Sequence, residues 1–158
     1  MYAVSTLGLT VVLPVLSVII ELLVSGGSAD PMMLIGKWFT FWAGGVRLFV
    51  AGLSQVFRPD FTAKNILGGT SNSGANLVVQ ELGFANLSIG LIGLLSLLLP
   101  GWILPAALAG GLFYALAGAR HIAKPHKNSK ELIATVTDFF VAAALLAFVV
   151  YALLSGAV

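Results

Sequence analysis

Arg47, Glu81 and Asp138 each sit inside a run of apolar residues, and that placement needs a chemical reason. A charge at the centre of a bilayer costs at least a few kcal/mol on insertion scales, so such a group must face protein and find a partner. Counting at the helical rise, Arg47 lies ~15 Å from the nearer helix end, Asp138 ~10 Å and Glu81 ~6 Å, all from the same side. Arg47, Ala51, Ser54 and Arg58 share one helical face, and Glu131, Thr135, Asp138 and Ala142 share another. The spacing predicts an Arg47–Asp138 ion pair with Glu81 as second partner. Two kinds of chemistry fit that cluster. One is structural, since polar groups in lipid hold helices in register. The other is a proton or substrate site, the default reading of an intramembrane ionisable group.

Other faces carry polar groups at similar depth. Gly110, Tyr114, Gly118 and His121 recur at helical spacing, as do Gly83, Asn86, Gly90 and Gly93. Small residues let helix backbones approach, so both stripes are packing faces first. Tyr114, Asn86, His121 and Gln55 are the candidate ligand contacts, at a depth where a headgroup or ring carbonyl could be recognised. Ala107, Gly111, Ala115 and Ala119 form a further small-residue row, expected to meet a neighbouring helix or a second subunit. Glu21 and Lys37 are placed to pair near the ends of the first two apolar runs.

Several reaction classes lack their residues. The chain has no cysteine, so it supplies no disulfide, thiol relay, thiolate zinc site or cysteine-ligated iron–sulfur cluster. Its two histidines, His121 and His126, are five apart and lie at a helix edge, which suits neither a helical metal pair nor a mid-membrane haem. Neither a Ser-His-Asp order nor a His-Glu-x-x-His motif occurs, and the tract Gly68–Gly74 has no Gly-Lys-Ser/Thr after it. No catalytic residue, metal or resident cofactor is expected, though a quinone or lipid would suit an apolar cleft with a few polar groups.

The elements that must position these residues follow from composition. Of 158 residues 59% are hydrophobic and 9% charged, where a soluble domain carries about 25% charged. A bilayer core needs about 20 apolar residues per helix, and five segments meet that length: about 3–25, 34–57, 77–99, 103–122 and 131–154. Turn chemistry at residues 26–31 and Pro100-Gly101 separates spans, Pro14 should kink the first, and Asn128 with Glu131 reads as a capping box for the last. Phe61, Ile66 and Leu67 among polar neighbours suggest a short interfacial helix in the long second connection. The first segment exceeds the ~7–15 residues of a leader's apolar region and has no basic residue before it, so it reads as a span. A single all-α membrane domain over residues 1–158 is expected.

Orientation follows from charge. Arg58, Lys64, Arg120, Lys124, Lys127 and Lys130 fall on two connections of the same side, so the amino terminus is expected inside and the carboxyl terminus outside. No basic patch is interleaved with exposed aromatics, which argues against nucleic acid.

Three motifs carry a resemblance. The run from Gly45 to Pro59, with Arg47 early and Arg58-Pro59 at its close, is followed by Glu81-Leu82-Gly83 opening a glycine-bearing span. Gly110-Gly111-Leu112-Phe113-Tyr114 lies in the next. With these, residues 44–154 resemble the DoxX-like superfamily of small bacterial membrane proteins. The resemblance implies a four-helix core in a bacterial inner membrane, to which the first span is an addition. For some relatives it implies association with quinone-linked sulfur oxidation or redox-stress complexes. The expected function is a non-catalytic subunit or homo-oligomer, surrounded by lipid and joined to copies of itself or a partner membrane protein. The alternatives are a quinone- or lipid-binding redox accessory and a proton-coupled small-solute carrier.

Overall fold

Prolines and two polar caps decide where the helices begin and how they run. Pro14 has no N–H to give to the preceding turn, and the helix re-registers into a π segment, Gly8–Val12, between α1 (Tyr2–Leu7) and α2 (Leu13–Val24). Within it the Thr10 hydroxyl donates to Thr6 O at 2.7 Å. Pro31 then opens α3 (Pro31–Phe39), where Asp30 caps the first turn by accepting from Met32 N at 2.8 Å and Met33 N at 3.3 Å. A second π segment, Thr40–Arg47, runs directly into α4 (Leu48–Phe57). Pro59 starts α5 (Pro59–Asn65), and Asn72 caps α6 (Ser73–Leu95) by accepting from Ala75 N at 2.8 Å. A 3₁₀ turn at Pro100–Trp102 leads to α7 (Ile103–Ile122), and α8 covers Ser129–Ser155.

This computed structural model describes residues 2–65, 72–123 and 129–156, and among them all regular structure is helical. Lys124, His126, Lys127, the expected cap Asn128, Ile66 and Leu67 of the expected interfacial helix, and most of the glycine tract fall outside the described residues. Among the described residues four helices are long and apolar enough to cross a membrane: Val4–Val24, Ser73–Leu95, Pro100–Ile122 and Glu131–Ser155. The segment expected at 34–57 is helical from Pro31 to Phe57, but the π segment divides it into pieces of 9, 8 and 10 residues. The third helix closes at Leu95, before the expected 99, because residues 96–99 already turn. Ser96 Oγ donates to Gly93 O at 2.7 Å and Leu99 N to Leu95 O at 2.9 Å.

Glycines choose the helix partners. A Cβ on Gly45 would stand 2.8 Å from Leu94 N, one on Gly93 2.6 Å from Gly45 N, and one on Gly52 2.8 Å from Gly83 O. The stretch Thr40–Phe57 therefore lies backbone against backbone on α6. α7 pairs instead with α8, where Gly111 meets Leu146 and Gly118 meets Phe139. Tyr114, Val141, Leu145 and Phe148 fill the core between α7, α8 and the second π segment, joined by Phe39 and Leu48. Although α6 and α7 are consecutive, each is held mainly by another helix, and they make little contact with each other.

The Ala107/Gly111/Ala115/Ala119 row, expected to meet a second subunit, lies largely inside the chain's own bundle. Ala107 and Gly111 are buried, Ala115 packs against the core and only Ala119 is exposed. The reason is size: a Cβ at Gly111 would come within 2.9 Å of Leu146, so this face is already taken by α8.

Candidate functional site: a charged cavity between two helix pairs

The separation of α6 from α7 leaves a cavity of about 540 Å³ toward the end of the bundle that holds α5. Its polar lining comes from Arg47, Ser54 and Gln55 of the second π segment and α4, Asn86 of α6, Arg120 and His121 of α7, and Asp138 of α8. Ser5, Thr6 and Leu9 close one side from the first helix, and Phe61 and Thr62 of α5 lie across the end. Leu48, Val50, Leu82, Phe113 and Leu116 supply an apolar wall. Two of these, Val50 at 53% and Leu116 at 71% exposure, also stand on the outer surface of the bundle. The cavity thus opens sideways.

Arg47 reaches Asp138 through Nη2 at 3.4 Å from Oδ1, and the other carboxylate oxygen of Asp138 faces His121 Nε2 at 3.9 Å. The Asp138 side chain is only 5% exposed. Both approaches are longer than the 2.7–2.9 Å typical of charge-assisted N–H···O bonds, so the carboxylate sits between two basic groups without closing tightly on either. The Arg47 guanidinium carbon also lies 5.1 Å from the ring centre of Tyr114. Tyr114 is fully buried and its hydroxyl donates to Ala43 O at 2.7 Å, inside the π segment. It therefore braces the turn that carries Arg47, and it is absent from the cavity lining where a ligand contact was expected.

Glu81, the expected second partner of Arg47, is exposed and stands apart from the cluster. Its rotation explains this. Gly83 faces α4, with the Val56 and Gln55 side chains within 3.0 Å of its Cβ position. Two residues earlier on a helix is about 200° around the axis, which turns Glu81 outward. His121, Gln55 and Asn86 do line the cavity. Asn86 Nδ2 donates to Gln55 Oε1 at 2.7 Å, while Asn86 Oδ1 is buried with no hydrogen-bond partner among the described residues. The buried Glu131 lies at the start of α8, outside the lining, and its carbonyl accepts from the Thr135 hydroxyl at 2.7 Å.

Arg120 and the first-helix residues Ser5 and Thr6 were not singled out from the sequence as site residues. Their signal was available: adjacent hydroxyls in an apolar run, with Leu9 at i+4 from Ser5 on the same face. At the opposite end of the bundle, Glu21 and Lys37 do pair, at 2.7 Å, and Trp38 Nε1 donates to Glu21 Oε2 at 2.6 Å. There too the Tyr151 hydroxyl donates to Asp30 Oδ2. That bond, with the capping N–H groups of Met32 and Met33, outweighs partial desolvation and holds the Asp30 carboxyl below its ordinary range.

Fold and cavity together define a small all-helical protein of membrane type with an interior cavity that is polar on one side and apolar on the other. The chain belongs to DUF6790, a family of unknown function whose profile matches residues 5–157. No curated protein and no solved structure matches it.

Proposed function

We propose that this protein is a non-catalytic membrane protein that holds a lipophilic ligand with a polar head, a quinone or a lipid, as an accessory of a larger membrane assembly. The observation that carries the reading is the sideways-opening cavity, with an apolar wall on one side and Arg47, Gln55, Asn86, His121 and Asp138 on the other. A ligand dissolved in the bilayer reaches such an opening without crossing water. Asn86 Oδ1, buried and unpartnered, is an acceptor whose cost is offset once a donor arrives. The lining residues all come from the α5 half of the bundle, which fits a binding pocket better than a path through the membrane.

In this reading Pro31–Phe57 is a fifth span, because its three helical pieces are continuous and together exceed the ~20 residues that a bilayer requires. Arg58, Lys64 and Arg120 lie at the α5 end, which becomes the cytoplasmic face of a bacterial inner membrane. Helices from Pro31 onward then form the DoxX-like core, with the first helix added beside it.

Binding of a decyl-quinone and of hexadecanol to the full chain in lipid nanodiscs tests the proposal. One saturable site is expected for at least one of them, and Ala51→Trp, which fills the cavity, should weaken it at least tenfold. Non-saturable uptake of both probes, or binding unchanged by Ala51→Trp, would refute the reading.

A further inference from the structure

Resting on that reading, we infer that the ligand's head is an anion, a carboxylate or phosphate carried on a long apolar tail. The cavity lining holds three basic side chains, Arg47, Arg120 and His121, against a single acid, Asp138. Arg47 and His121 approach different oxygens of that acid, at 3.4 and 3.9 Å, so one carboxylate is shared between two bases. Arg120 has no acid of the lining beside it in any ion pair among the described residues. Of the other acids near this end, Glu131 sits two helical turns from Asp138, about 10 Å along α8, Asp60 of α5 and Glu81 of α6 are exposed, and none of the three lines the cavity. The cavity therefore carries an excess of positive charge even with His121 neutral. Arg120, exposed at the rim of the cavity, is the charge left without a counter-ion in the lining, and a ligand anion supplies that match through charge-assisted hydrogen bonds.

Of the neutral polar groups, Gln55 agrees with the charges, while the Asn86 Oδ1 acceptor calls for a donor, which the hydroxyl of a monoprotonated phosphate head supplies. With its oxygen taken by Asn86, Gln55 keeps its side-chain N–H groups as donors on the cavity wall, with no partner among the described residues. The polar side thus presents basic groups and an amide donor beside the Asp138 carboxylate and the Asn86 acceptor, while Leu48, Val50, Phe113 and Leu116 form the apolar wall. An anionic head lies against the first set and its hydrocarbon tail along the second. A free inorganic anion would use only half of this surface.

The test is a competition series of one chain length on the full-length protein in neutral-lipid nanodiscs: palmitate, hexadecyl phosphate, hexadecanol and inorganic phosphate. Palmitate or hexadecyl phosphate should bind at least tenfold more tightly than hexadecanol, as expected when a charge-assisted hydrogen bond is added. The acid-to-alcohol ratio should fall severalfold in Arg120→Gln, a surface-edge substitution with little to disturb in folding. Hexadecanol binding as tight as both acids would overturn the anion inference while leaving the lipophilic pocket standing. Absence of binding by all three long-chain probes would remove both. Displacement of palmitate by millimolar inorganic phosphate would show that the tail contributes nothing, and would also overturn it.

Discussion

Replacing Gly93 with alanine adds one methyl group at one of the tightest backbone contacts between the helices. The new Cβ would stand 2.6 Å from Gly45 N and 2.7 Å from Gly45 Cα, whereas ordinary contacts begin at 3.4 Å. The shortfall is 3.4 − 2.6 = 0.8 Å, and the opposing atoms are backbone, so the two helices must separate. Overpacking of this kind costs about 1–3 kcal/mol. In a chain of this size that corresponds to a fall of roughly 2–12 °C in Tm. Gly111→Ala is the graded control: its shortfall is 3.4 − 2.9 = 0.5 Å against the end of the Leu146 side chain, which can rotate. Gly8→Ala is the blank, with nothing within 4 Å. Thermal unfolding in one mild detergent, followed by helical circular dichroism, should rank Gly93→Ala lowest, Gly111→Ala between, and Gly8→Ala level with or above the parent. If Gly93→Ala melts with the parent, the backbone-to-backbone account of the contact between the second π segment and α6 is refuted.

Arg47→Ala should lower stability by about 3–5 kcal/mol, the usual consequence of stranding a buried partner, and Asp138→Asn in that background should restore part of the loss. Strictly additive losses in the four-way cycle would mean that the two charges are not coupled. Reporter fusions after Val158 and within residues 60–75 should report opposite sides of the membrane, and the same side for both would exclude five spans.

Much of the fold could be read in the residues, because lipid imposes few solutions. Apolar runs of bilayer length gave four of the helices, and the Glu21–Lys37 and Arg47–Asp138 pairings followed from depth along each helix. Depth does not give rotation, however, and that is where Glu81 was misplaced. The information was present in the glycine stripe of α6: once Gly83, Gly90 and Gly93 face the neighbouring backbone, Glu81 must turn away. Tyr114 was read as a ligand contact for a related reason. It shares a face with Gly110 and Gly118, both packed toward α8, so its ring belongs to the core and only its effect on Arg47 reaches the cavity. The π segment at Thr40–Arg47 had no comparable signal, since no proline forces it; it depends on tertiary contacts such as the Tyr114 bond to Ala43 O. The cavity was illegible because it arises from the divergence of two helices that the chain joins consecutively.

That divergence has a mechanical side. Helices α6 and α7 meet at the Pro100–Trp102 turn, and each is clamped to a different neighbour. The bundle is thus two stiff leaves bound along one edge, with the cavity in the gutter. A 20-residue helix is about 30 Å long, so a tilt of about 5° at the spine sweeps its far tip through roughly 2.6 Å. Movements too small to strain the turn are therefore magnified where Arg120 and His121 stand, and the aperture between the leaves can widen by that amount while the outer half of the core keeps its contacts.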